Sequence, residues 1–176
     1  MKIANNCMSK RGAIELSFGM IFSVIIIIAI VGVAVYAITT FLNIGKTSQF
    51  GLFHQRFQET VDDVWASSIT NRVVSFSLPS DVKLVCFGSL SGSTYNPQYA
   101  EEFQELKRYS SNFEQQNTNR FLYPSDKAGE FAYKKVDKVD LSGMTNGFDC
   151  FRVTSGTVKI RLVKDEFDPL VKIEHE

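Results

Sequence analysis

The chain has 176 residues, and its 19 basic side chains equal its 19 acidic ones, so the formal net charge is zero. This balance leaves no overall positive field to attract nucleic acid, and we expect no nucleic-acid partner. Fifteen phenylalanines against a single tryptophan indicate a core built largely of phenylalanine.

The segment from Leu16 to Leu42 contains no charged side chain. About 20 apolar residues are enough to span the hydrocarbon core of a bilayer, and only a helix satisfies its own backbone hydrogen bonds there. The apolar region of a secretory signal is shorter, at about 7–15 residues. We therefore predict a retained transmembrane helix over residues 13–42, with the lipid bilayer as its surroundings.

The charges beside this segment predict its orientation. Lys2, Lys10 and Arg11 precede it, whereas Lys46 is the only basic residue close behind it. Because basic residues collect on the cytoplasmic side, the N-terminus is expected in the cytoplasm. The sequence thus predicts a single-pass protein whose chain from about Asn43 onward is extracytoplasmic, at the cell surface.

Glu15 is an acidic residue at the edge of the apolar segment, where a carboxylate is costly unless it reaches water or a cation. Two interpretations are open. The carboxylate lies at headgroup depth and faces water, or it pairs with a cation when helices pack side by side. A free α-amino group created by cleavage nearby is one such cation.

The residues KRGAIEL at positions 10–16, followed at once by a long apolar helix, resemble the N-terminus of archaeal type IV pilin-like proteins, including the archaellins. The resemblance implies that residues 1–12 form a basic leader, a class III signal peptide, which a prepilin-type peptidase removes. It also implies that the processing site comprises Lys10, Arg11, Gly12 and Ala13.

The cleavage position stays open between two alternatives. Cleavage after Gly12 makes Ala13 the first residue and Glu15 the third. Cleavage after Lys10 makes Glu15 the fifth residue, the place that many pilins give to a glutamate.

The resemblance implies a pilin-like subunit of a surface filament or membrane-anchored assembly. Its apolar helix would associate with copies of itself or with other pilin-like subunits, and Glu15 would be the assembly residue. The alternative is a monomeric, membrane-tethered binding domain that does not polymerise.

Residues 43–70 predict an amphipathic helix that continues outside the membrane. Apolar side chains recur there at helical spacing: Phe50, Phe53, Phe57, Val61, then Val64 or Trp65, and Ile69. We expect this stripe to pack against the domain that follows, and packing against neighbouring subunits is a compatible second use.

Residues 71–176 predict a β-rich extracytoplasmic domain, which makes the fold class α+β: a long N-terminal helix packed on an antiparallel sheet, as in pilins. Runs 72–78 and 82–87 are expected to pair as a hairpin around a Pro-Ser-Asp turn. Asn96 and Pro97 predict a helix start, and Ser155-Gly156 predicts a hairpin turn. Further strands are expected at 121–123, 130–136, 149–154, 157–163 and 170–173.

The three cysteines differ in their expected location. Cys7 lies in the leader, whereas Cys86 and Cys150 lie in strand-like runs of the extracytoplasmic domain. Cys86 and Cys150 form either a disulfide, contributing roughly 2–4 kcal/mol, or two buried thiols.

Patterns that carry catalysis or bind metals are absent from the sequence. It has no glycine-rich phosphate loop and no Gly-x-Ser-x-Gly motif. His54 is expected on the polar side of the second helix and His175 at a frayed C-terminus, with no cysteine or serine partner. We therefore expect no enzyme, no cofactor and no metal site.

Overall fold

The computed structural model describes residues 18–92, 94–110, 117–144 and 147–176. The chain divides into two compact units, Met1–Leu42 and Asn43–Glu176. We call them the N-terminal unit and the C-terminal unit, and each is described by itself.

Helix α1 runs from Phe18 to Ala66 over 49 residues and contributes to both units. The weak break expected at residues 43–45 does not end it, since Gly45 lies inside the helix. A glycine in a helix interior costs about 1 kcal/mol, which is too little to interrupt a helix of this length.

Within the C-terminal unit, α1 packs through the predicted aromatic and aliphatic stripe. Its buried residues are Phe50, Phe53, Phe57, Val61 and Val64. The choice between Val64 and Trp65 is resolved, because Trp65 is 41% exposed. Ile69 was expected in the stripe, but it lies beyond the end of α1 and is 66% exposed.

The strands of the described residues form two sheets of four. The first has the order β1-β7-β8-β5, with the bounds β1 Thr70–Ser77, β5 Val139–Asp140, β7 Thr157–Lys164 and β8 Val171–Glu174. The second has the order β4-β3-β2-β6, with the bounds β2 Leu84–Gly88, β3 Arg120–Tyr123, β4 Tyr133–Lys134 and β6 Phe148–Arg152. Every pairing is antiparallel except the parallel pair β5–β8. The fold class is therefore α+β with antiparallel-rich sheets.

The predicted hairpin of runs 72–78 and 82–87 is wrong. β1 pairs with β7 along its whole length, and β2 lies between β3 and β6 in the other sheet. All five residues of β2 are buried, so this strand needs neighbours at both edges and cover on both faces. β1 is half exposed, and it forms one of the two edges of its own sheet.

The turn at Ser155-Gly156 is confirmed, but it joins the two sheets instead of forming a hairpin within one. Both residues have positive φ, 51° and 70°, and one isolated bridge joins Thr154 to Thr157. Thr154 and Thr157 bond to each other across the turn, but neighbouring backbone groups bond to other segments: the Leu78 amide donates to the Gly156 carbonyl, and the Val153 amide donates to the Lys83 carbonyl.

Helix α2, Ala100–Ser110, follows a 3₁₀ turn at Pro97–Tyr99. The helix start is confirmed, since the Asn96 side chain accepts a hydrogen bond from the Gln98 amide at 3.1 Å. The strand expected over 130–136 is shorter than predicted. Helix α3 at Ser125–Ala128 and a second 3₁₀ turn at Gly129–Phe131 precede it.

The core of the C-terminal unit joins α1 to both sheets through phenylalanine rings. The centroid of the Phe57 ring lies 5.1 Å from that of Phe76 on β1 and 5.3 Å from that of Phe87 on β2. Phe57 is fully buried. Its position places the second part of α1 at the centre of the domain.

Candidate functional site

The first part of α1 presents an apolar surface that the described part of the chain leaves uncovered. Its large side chains are exposed on every side of the helix, for example Ile27, Ile28 and Ile30. Within its most apolar stretch of 18 residues, none of the helix is buried. Among the described residues, α1 is the one helix that is long and apolar enough to cross a membrane.

Two hydroxyl groups on this surface bond within the helix itself. The Ser23 hydroxyl donates to the Gly19 carbonyl at 2.8 Å, and the Thr39 hydroxyl donates to the Tyr36 carbonyl at 2.9 Å. Such bonds satisfy the polar groups without water, as an apolar environment requires.

Gly32 lies in the middle of the apolar segment without a packing reason within the described chain. A Cβ built there meets no atom within 4 Å. Glycine lowers helix stability by about 1 kcal/mol relative to alanine, and in membranes it occurs where two helices approach closely.

The residues predicted for processing and assembly lie outside the described residues. They are Lys10, Arg11, Gly12, Ala13 and Glu15. Their roles stay predictions.

Cys86 and Cys150 form a disulfide, which resolves the alternative of two thiols. They face each other directly in the β2–β6 pairing, with their Cα atoms 3.9 Å apart, and both are fully buried. The bond closes a loop across 64 positions of sequence within one sheet.

Arg120, at the start of β3, is a fully buried cation that the sequence analysis did not single out. Its Nη2 donates to the Phe131 carbonyl at 3.2 Å, and its guanidinium carbon lies 5.2 Å from the centre of the Phe53 ring. Its Nε and Nη1 are buried and have no hydrogen-bond partner among the described residues. Burial lowers the pKa of Arg120 to about 9.

The two unpartnered nitrogens of Arg120 make its burial costly. Each buried donor without a partner costs about 1–3 kcal/mol. A desolvated cation over an aromatic ring gains about 2 kcal/mol, so the Phe53 ring offsets this cost only in part.

His54 and Lys134 stand close to Arg120. Arg120 and Lys134 are opposite one another in the β3–β4 pairing, so their side chains share one face of the sheet. His54 has a buried Nδ1 that finds no hydrogen-bond partner within the part of the chain that the structure describes. Its pKa is lowered first by burial, then by the charges of Arg120 and Lys134. The expectation that His54 faces the polar side is therefore only partly met, because the ring is half-buried.

Asp149 on β6 forms a second buried polar centre. Its carboxylate accepts from the Asn96 side-chain amide at 3.0 Å and from the Cys150 backbone amide at 2.8 Å, and it lies 3.0 Å from Nε2 of His175. The His175 ring also stacks on Phe151 with a centroid distance of 4.3 Å. The expectation of a frayed His175 is wrong, because the ring links β6 to the chain that follows β8.

The described residues contain no group of three or more His, Cys, Asp or Glu side chains arranged to hold a metal ion. A cavity of about 450 Å³ is lined largely by hydroxyl and amide side chains, among them Ser89, Asn117 and Asn119. Its described lining includes no side chain that titrates near neutral pH.

No protein-family model, no curated protein and no solved structure matches the chain.

Proposed function

We propose that this chain is a pilin-like subunit of a surface filament or membrane-anchored assembly. The observation that carries the proposal is the uncovered apolar surface of α1 between Phe18 and Leu42. Apolar surface of this extent requires lipid or other apolar helices around it. After membrane insertion the helix is surrounded by lipid. In an assembly that packs these helices together, it is surrounded by other apolar helices.

Three features support assembly beyond simple anchoring. Gly32 permits another helix to approach closely, and no contact in the described chain requires a glycine there. The basic leader with its glycine resembles a prepilin processing site. Glu15 stands where a carboxylate is costly unless it reaches water or a cation, and processing would generate a cationic α-amino group a few residues away.

In the proposed mechanism, the leader up to Lys10 or Gly12 is removed by a prepilin-type peptidase on the cytoplasmic side. Glu15 then pairs with the new α-amino group of a neighbouring subunit. The apolar helices pack into a shared core, and the C-terminal unit supplies the extracytoplasmic surface. No chemical step is assigned to the C-terminal unit.

The variant Glu15→Ala tests this proposal. It is expected to insert into the membrane as the parent does but to lose assembly, measured by cross-linking in the membrane and by sedimentation of sheared surface material. Glu101→Ala is the matched control, because Glu101 is an exposed carboxylate on α2. The control is expected to assemble normally.

Two results would count against the proposal. Unchanged assembly of Glu15→Ala removes the pairing mechanism. A parent protein that stays monomeric in its own membrane favours the alternative, a membrane-tethered extracytoplasmic binding domain that does not polymerise.

A further inference from the structure

The turn that joins β7 to β8 places an aromatic side chain in solvent. The turn spans residues 165–168, with Glu166 and Phe167 at its two central positions, and the Phe167 side chain is 92% exposed. Central turn positions are usually taken by Gly, Pro, Asn, Asp or Ser, because these residues favour the backbone of a turn. Phenylalanine contributes nothing to the turn itself, so its presence there indicates a contact with another molecule.

This turn is held in one conformation by its own polar groups. The Asp168 amide donates to the Asp165 carbonyl at 3.1 Å, and the Asp165 amide donates to the Asp168 carboxylate at 3.3 Å. The Lys172 ammonium lies 2.8 Å from the same carboxylate. Because the backbone beneath Phe167 is already ordered, binding of this ring loses little conformational entropy.

A groove on the same unit lies between α1 and β1 and has a volume of about 400 Å³. The buried residues Phe53, Phe76 and Leu78 supply its apolar lining, and Leu52, which is 49% exposed, lines it at the surface. Arg56 is the one charged residue of this described lining. Its guanidinium forms no ion pair within the part of the chain that the structure describes.

The turn and the groove are complementary in size and in charge. The groove has room for one phenyl ring, since sites for small organic ligands begin at about 300 Å³. Glu166, next to Phe167, is exposed and forms no ion pair with the described residues. An aromatic ring beside a free carboxylate thus matches an apolar groove beside the free guanidinium of Arg56, a group that binds carboxylates through two parallel hydrogen bonds.

The turn and the groove are too far apart to meet within one chain. The Trp65 indole donates to the Pro169 carbonyl at 3.0 Å, which places the turn beside the C-terminal end of α1. Leu52, in the groove, lies 13 positions before Trp65, or about 20 Å along the helix at about 1.5 Å per residue. The turn therefore does not enter the groove of its own chain, but it is free to enter the groove of another copy.

We propose that one copy of this chain inserts Phe167 into the groove of the next copy, where Glu166 pairs with Arg56. This inference rests on the proposed function, because it supplies a second contact between the subunits of the assembly. The two surfaces differ, so each copy offers its turn to one neighbour and its groove to another. Contacts of this heterologous kind extend into lines of subunits unless they close into a ring.

Cross-linking between two cysteine variants of the full chain tests the contact in the membrane. Both variants carry Cys7→Ser, and the other native cysteines are bonded to each other and do not react. Gln49→Cys places a thiol at the groove, and Asp165→Cys places one at the turn. When the two variants are co-expressed with different tags, a short thiol-reactive cross-linker is expected to join them into a heterodimer. Each variant expressed alone is expected to give little dimer.

Variants of the contact residues then establish its chemistry, and each is made in both copies. Phe167→Ala and Arg56→Glu are each expected to lower the heterodimer yield about tenfold, the first by removing the ring and the second by opposing two carboxylates. Adding Glu166→Arg to Arg56→Glu restores opposite charges and is expected to recover most of the yield. Arg108→Glu, the same change at an exposed position of α2, is the matched control and is expected to leave the yield unchanged.

A third thiol separates failure of this inference from failure of the proposed function. Ala29→Cys lies three residues before Gly32 on the same face of α1, and it reports whether the apolar helices of two copies pack together. Helix cross-linking without a heterodimer of Gln49→Cys and Asp165→Cys would overturn the inference and leave the proposed function standing. A heterodimer yield that Phe167→Ala does not change would also overturn the inference. Absence of both cross-links would overturn the inference and the proposed function together.

Discussion

At the scale of single residues, the bond between Cys86 and Cys150 is the strongest local constraint in the C-terminal unit. It joins two fully buried residues of adjacent strands. A crosslink across 64 positions removes many conformations from the unfolded chain, which is the main source of its stabilising effect.

Replacing both cysteines, in Cys86→Ala/Cys150→Ala, is expected to lower the free energy of unfolding by about 2–4 kcal/mol. The measurement is denaturant unfolding of the full chain in micelles, followed by the fluorescence of Trp65, the single tryptophan. Cys7→Ser is the matched control and is expected to unfold like the parent. A double variant as stable as the parent would mean that the bond is not formed in solution.

The sequence predicted some residues of the described site and missed others for a physical reason. Cys86 and Cys150 were candidates because both lie in strand-like runs of the domain that was predicted to be extracytoplasmic, where disulfides form. Arg120 gave no signal, since an arginine before a short strand is normally exposed. Its burial follows from the pairing of β3 with both β2 and β4, which joins segments distant in sequence.

At the scale of elements, α1 is the part of the fold that sequence reasoning recovered best. Apolar residues at helical spacing depend only on local geometry, so the buried stripe from Phe50 to Val64 was readable directly. Most strand runs were also predicted, but β5 was not, the run 130–136 was too long, and the strand partners were wrong. β1 pairs with β7, about 90 positions away. The burial that each strand needs in its sheet determines this pairing, whereas closeness of two strands in the sequence does not.

Phe57→Ala is expected to destabilise the C-terminal unit by about 3–5 kcal/mol, because it leaves a cavity between α1 and both sheets. Leu52→Ala is the matched control on the same helix. Leu52 is 49% exposed, so its loss is expected to change stability by no more than about 0.5 kcal/mol. Denaturant unfolding of both variants measures the difference, and equal losses would contradict the packing described for α1.

At the scale of the whole molecule, the two units present opposite surfaces to their surroundings. The C-terminal unit buries most of its apolar side chains in one core cluster. The N-terminal unit exposes apolar side chains along its described length. A protein with one self-sufficient domain and one uncovered apolar helix is suited to a role in which the helix meets lipid or other helices.

The most direct test of the pilin-like account is the N-terminal residue of the mature protein, isolated from the membranes of its own cells and identified by mass spectrometry. The account predicts a chain that starts at Ala13 or at Arg11, since a prepilin-type peptidase removes the leader. A mature chain that still starts at Met1 would contradict the account and leave a plain membrane anchor with a tethered domain.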